Sequence, residues 1–149
     1  MKNLASVLFI LLLPVSCNAV AQKSVIKTFY PGSYTKLLEN NKGREFTLLF
    51  WSVDCSPCLE KLKLISETRI YAKQKFVFVS TDGDEMLADV AVVVRQMNLE
   101  QQAHWVFKSG LTQEIINSVD SSWYGEVPRN YYFNKKHQRI RLQELKLKQ

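Results

Sequence analysis

The 149-residue sequence contains only 5 glycines and 4 prolines, which excludes collagen-like and low-complexity architectures. It has no runs of like charge: 20 Lys and Arg against 14 Asp and Glu give a net +6, and the two signs are interleaved along the chain. A nucleic-acid partner is therefore not expected. There is no internal repeat and no linker-like stretch, and the apolar run near the N-terminus, residues 4–13, is about half of the roughly 20 residues that a membrane-spanning helix needs. What remains is a chain with 46% hydrophobic and 23% charged residues, the balance of one compact globular domain.

The N-terminus reads as an export signal. Met1-Lys2-Asn3 carries one positive charge, the apolar run follows, and Ala19-Val20-Ala21 supplies small residues two apart. Cleavage after Ala21 leaves residues 22–149 as the mature domain and lowers the net charge from +6 to +5. Ser16-Cys17 offers a competing reading, lipid attachment at Cys17, against which Pro14 stands where a lipobox usually carries Leu. Once the signal is removed, two of the 3 cysteines remain, Cys55 and Cys58. A domain of this size buries roughly two thirds of its unfolded surface, and so short a loop removes little unfolded-state entropy. Stabilisation alone is thus a poor reason for the pair.

Hydrophobic patterning divides the mature chain into alternating elements. Residues 22–32 form an extended lead-in, and Ser33 is placed to cap a short helix that Gly43 stops. Residues 45–51 (EFTLLFW) read as a strand covered on both faces, and a helix begins at Pro57 and runs to about Lys73. A second strand spans residues 76–80 (FVFVS), closed by the turn-forming Thr81-Asp82-Gly83-Asp84. In residues 84–97 the run VAVVV favours a strand while its flanks favour a helix, and length decides for the helix. Further on lie a short strand at 105–107, a helix at 111–119 and an antiparallel hairpin of strands 130–133 and 138–144.

The strand at 45–51 points into Cys55-Ser56-Pro57-Cys58. A cysteine at a helix start meets unpaired backbone N–H groups and the positive end of the helix dipole, both of which favour thiolate. Cys55 is accordingly read as the nucleophile of a redox pair, and Cys58, one turn deeper, as the resolving thiol. Pro57 contributes no N–H and Asp54 places a carboxylate beside the sulfur. Both favour the protonated thiol, so the couple is expected nearer the reducing value of about −270 mV than the strongly oxidising one of about −120 mV.

The stretch Phe50-Trp51-Ser52-Val53-Asp54-Cys55-Ser56-Pro57-Cys58 resembles the thioredoxin superfamily, and its spacing is most similar to exported reductases of the TlpA type. The resemblance implies an α/β three-layer sandwich, with a mixed four- or five-stranded sheet flanked by helices, over roughly residues 33–144. It also implies a cis Pro128 lying against the cysteine pair, with the Val127 backbone binding an extended substrate segment as an added strand. Three departures stand out. Asp54 replaces the usual Trp, Leu49 occupies the position of a buried acid that helps deprotonate the second cysteine, and residues 145–149 are too short for the usual final helix. Glu60, Asp54 or water would then take the Cys58 proton.

The function this supports is thiol-disulfide exchange outside the cytoplasm, by a monomer without cofactor. It acts on disulfide-containing exported proteins and is recharged by a membrane-embedded electron donor. The alternatives are a disulfide oxidase or isomerase, a Cu(I) carrier using both thiolates and a histidine, or a non-enzymatic assembly-binding module. Zinc is disfavoured because His104 and His137 are the other soft donors and neither has metal-motif spacing. His104 reads as a packed residue, His137 as solvated and Trp51 as core. Trp123 and Tyr124 either edge a substrate groove or pack, and Arg129 is a surface arginine or a reader of acidic substrates.

Overall fold

The structure is a computed structural model that describes residues 25–68, 71 and 73–141. The export signal, Cys17 and the tail 145–149 lie outside the described residues. The elements run in the order β1 (Lys27–Phe29), α1 (Ser33–Asn40), β2 (Phe46–Trp51), α2 (Ser56–Glu67) and β3 (Phe76–Gly83). A single 3₁₀ turn (Asp84–Met86) follows, then α3 (Leu87–Gln96), β4 (Ala103–Phe107), α4 (Thr112–Val119), β5 (Arg129–Phe133) and β6 (Arg139–Arg141).

The strands form one mixed sheet in the order β1-β4-β3-β2-β5-β6. β1, β4, β3 and β2 run parallel to one another, while β5 is antiparallel to β2 and β6 antiparallel to β5. The architecture is the expected mixed sheet flanked by helices. Its sixth strand is β1, whose three residues pair with Trp105, Val106 and Phe107 of β4. The lead-in gains its strand character only from that edge.

β2 is the axis of the molecule, with all six residues buried. Its side chains alternate between two apolar layers. Phe46, Leu48 and Phe50 join Leu37 of α1 and Ile115, Ile116 and Val119 of α4. Leu49 and Trp51 join Leu62 and Ile65 of α2 and Val90 and Val94 of α3. A strand flanked by parallel and antiparallel neighbours with helices over both faces has no solvent side, which is why its sequence is apolar at every position but Thr47.

Several local expectations are corrected. Ser33 is the first helical residue rather than the cap. The cap is Gly32, without a side-chain hydrogen bond, and Ser33 Oγ instead accepts the Tyr30 N–H at 2.9 Å. α2 ends at Glu67, where Thr68 turns extended, rather than near Lys73. VAVVV is helical as expected. Val90 and Val94, one turn apart, are 1% and 4% exposed while Val92 is 39% exposed, so an i, i+4 stripe of tertiary burial overrides β-branched propensity.

His104 is buried in β4, stacked on Phe78 at 5.1 Å, with its Nε2 2.8 Å from the Leu99 carbonyl. Burial pushes its pKa below the ordinary 6.5, against smaller opposing effects of Leu99 and Glu100. The unfolded chain therefore binds this proton more readily. The folded state loses nothing above pH 6.5 and becomes progressively less stable as pH falls below it. Denaturant midpoints measured at pH 7 and pH 5 should show this loss in the wild type and a shallower one in His104→Gln.

Candidate active site

The loop between β2 and α2 is set by one carboxylate. Asp82, at the end of β3, accepts the Ser52 hydroxyl at 2.8 Å and the Val53 N–H at 3.0 Å, and also the Ser80 hydroxyl. Ser52 Oγ in turn accepts the Asp54 N–H at 3.3 Å. The sequence points only to a turn here. That expectation is corrected, because β3 continues through Thr81 and Asp82 to Gly83. A short polar side chain leaving a buried strand, opposite a Ser-Thr-Asp run on its neighbour, is the signal that could have shown more. Asp82 reaches the loop because Trp51 pairs with Ser80 and the β3–β4 register shifts between Ser80 and Gly83.

The fixed loop delivers Cys55 to the N-cap of α2. Its Sγ accepts the Cys58 N–H at 3.2 Å, and Pro57 stands in the first turn. The pair is joined as a disulfide, with Cα atoms 5.1 Å apart. Cys55 is half-buried, whereas Cys58 is 0% exposed and packs in the layer of Leu49, Trp51 and Leu62. Asp54 and Glu60 both face solvent, where their influence on a sealed sulfur is screened by water.

From the other side comes the loop before β5. The Val127-Pro128 bond is cis, and the Val127 carbonyl oxygen lies 3.7 Å from Cys55 Sγ. Antiparallel pairing of Phe50 with Arg129 brings this loop to the C-terminal end of β2. Cys55, Cys58, Val127 and Pro128 thus converge on one end of the sheet.

Arg129 departs from both sequence readings. It is 3% exposed, and its guanidinium bonds Asp120 at 3.0 Å as well as Glu126 and the Tyr131 hydroxyl. It neither lies on the surface nor is free to read acidic substrates. Tyr131 donates to Asp120 at 2.7 Å. Burial raises the Asp120 carboxyl, but hydrogen bonds from Ser122, Tyr131 and Arg129 outweigh it and hold the group well below the usual carboxylate range. Burial and the Asp120 bond push Tyr131 up to about 12.

Trp123 is core, 1% exposed and against Phe50 at 4.6 Å, while its neighbour Tyr124 is 95% exposed. Trp51 is core as well, its buried Nε1 without a hydrogen-bond partner. His137 is corrected from solvated to half-buried, its Nε2 2.8 Å from the Asn41 carbonyl and its ring beside Phe46 and Phe133. Among the described residues no group of three or more His, Cys, Asp or Glu could hold a metal ion.

No protein-family model and no curated protein matches the chain at the level of sequence. Solved structures do match it. A secreted Mycobacterium tuberculosis disulfide oxidoreductase homologous to Escherichia coli DsbE superposes with a TM-score of 0.54 at 17% identity, over 71% of this chain and 73% of that one. The thioredoxin domain of a Bacteroides vulgatus thiol-disulfide oxidoreductase gives 0.54 at 14% identity, over 70% and 72%. A thioredoxin-family thiol:disulfide interchange protein from Chlorobium tepidum gives 0.51 at 16% identity, over 69% and 70%. The fold is thioredoxin-like. Within this thioredoxin-like frame the helix that carries the cysteines and the cis-proline loop meet where the resemblance placed them. Leu49, where the resemblance implies an acid, is fully buried in the same apolar layer as Cys58.

Asp82→Ala leaves three donors without their acceptor, Ser52 and Val53 half-buried and Ser80 fully buried. It should lower stability by about 1–3 kcal/mol, read as a reduced denaturant midpoint. An unchanged midpoint would show that water replaces the carboxylate at no cost.

Proposed function

We propose that the protein is an exported thiol-disulfide oxidoreductase that reduces disulfides in other exported proteins, with Cys55 as nucleophile and Cys58 as resolving thiol. The observation that carries this reading is the asymmetry of the pair. One cysteine is half-buried at a helix N-terminus, where its sulfur accepts a backbone N–H, and the other is sealed in an apolar layer one turn on. Reaction begins when the Cys55 thiolate attacks a substrate disulfide, forming a mixed disulfide and expelling one substrate sulfur as a thiolate that takes up a proton. Cys58 then gives up its proton and attacks the Cys55 sulfur, releasing the second substrate sulfur and closing the Cys55–Cys58 bond. Two electrons pass from the dithiol to the substrate.

The substrate segment is expected to lie extended along the Val127 backbone, beside the cis-proline. The reducing direction has three supports. Pro57 supplies no N–H to the sulfur, Asp54 stands beside it, and Cys58 sits among apolar side chains with Leu49 in place of an acid. Each withholds stabilisation from the thiolates, so the reduced form is a stronger donor. Export rests on the signal-like residues 1–21. In an oxidising compartment the spent pair needs two electrons and two protons from a dithiol donor held in the membrane.

Equilibration with glutathione buffers should place the couple near about −270 mV, and the reduced protein should precipitate insulin by reducing it. A potential near about −120 mV would reverse the direction. Failure to reduce both insulin and a small disulfide, with both thiols intact, would leave a binding module. Cys58→Ser should accumulate mixed disulfides through Cys55 with its clients, visible as adducts that thiol reductants remove.

A further inference from the structure

The loop from Asp120 to Pro128 is closed around the Arg129 guanidinium rather than left to solvent. Asp120 accepts the Ser122 N–H at 3.0 Å and its hydroxyl at 2.7 Å, and Arg129 and Tyr131 on its other oxygen. Trp123 Nε1 donates to the Glu126 carbonyl at 2.9 Å, and the Glu126 carboxylate accepts the Tyr124 N–H at 3.2 Å while pairing with Arg129. The guanidinium lies 5.5 Å from the Trp123 ring and 5.2 Å from the Tyr131 ring. Gly125, at φ +91°, turns the chain where an added Cβ would also press on Ile116 at 3.3 Å.

The Tyr124 ring is the exception. It is 95% exposed on a loop whose backbone is tied at Asp120, Ser122, Trp123, Tyr124 and Glu126. It stands three residues before Val127, a span of at most about 10 Å, and the Val127 carbonyl is in contact with Cys55 Sγ. A polypeptide joined to that sulfur therefore starts beside the Val127 end of this loop. A rigid aromatic with a polar tip, already immobilised through its backbone, binds such a chain at little ordering cost.

We propose that Arg129 is a positioning residue that holds the 120–128 loop as a preformed docking lip, presenting Tyr124 to the extended polypeptide that becomes disulfide-linked to Cys55. This rests on the thiol-exchange reading above. The partner is an unfolded or extended protein segment, gripped by ring contact and backbone rather than by charge, because Glu126 is already paired with Arg129.

The test compares, for each variant, the rate of reduction of a protein disulfide (insulin) with that of a small aromatic disulfide that offers no chain to the lip. Tyr124→Ala, which removes an exposed ring, should lower the insulin-to-small-disulfide ratio about fivefold, through KM rather than kcat. Glu126→Gln, which loosens the lip without touching the ring, should lower it in the same direction by less, as should Arg129→Met if it folds. A ratio within twofold of wild type in Tyr124→Ala overturns the lip. So does a loss of kcat with KM unchanged. Wild-type protein that reduces the small disulfide but not insulin also overturns it, whereas wild-type protein that reduces neither overturns the thiol-exchange reading itself.

Discussion

The structure turns on a single contact at the tip of a helix, where the Cys58 N–H points at the sulfur of Cys55. For that contact to form, a buried strand must end where the helix begins, and the intervening residues must not wander. β2 meets the first requirement by being apolar on both faces, so that it sits at the centre of the sheet between β3 and β5. Asp82 meets the second by collecting donors from Ser52 and Val53. The same strand order places the β5 entry, and with it the cis Val127-Pro128 bond, against the sulfur.

Two opposing electrostatic settings surround the pair. The helix terminus favours negative charge on Cys55, while the apolar layer of Leu49, Trp51 and Leu62 disfavours it on Cys58. In the exchange proposed for this pair, that contrast has Cys55 react first while the buried Cys58 waits until its neighbour is engaged. Nearby, Arg129 illustrates the opposite use of charge. A buried cation is costly unless its hydrogen bonds are met, and here two carboxylates, a hydroxyl and two ring faces meet them. That cluster fixes loop shape rather than chemistry.

Much of this was legible in the sequence, for reasons that can be named. EFTLLFW and FVFVS are long enough and apolar enough to be central strands, and Pro57 two residues after Cys55 marks a helix start. The short edge strand β1 was not legible, because KTF has no pattern of its own and becomes a strand only beside Trp105 to Phe107. Ser33 misled because a side chain that caps a helix can equally close the turn before it, here by accepting from Tyr30. Arg129 misled because exposure is the ordinary state of arginine. The acids that bury it stand three and nine residues earlier, a spacing no local period connects. His137 was read as solvated from its lysine neighbours, yet a left-handed turn at φ 57° carries its ring back onto Phe46 and Phe133.

The most direct test of the central claim is the pH dependence of alkylation of the reduced protein, followed by mass mapping of the modified cysteine. The account predicts that Cys55 is labelled first, with a midpoint below the ordinary thiol value of about 8.5, and that Cys58 is labelled only after unfolding. Equal labelling of the two cysteines, or a Cys55 midpoint at or above that value, would contradict it.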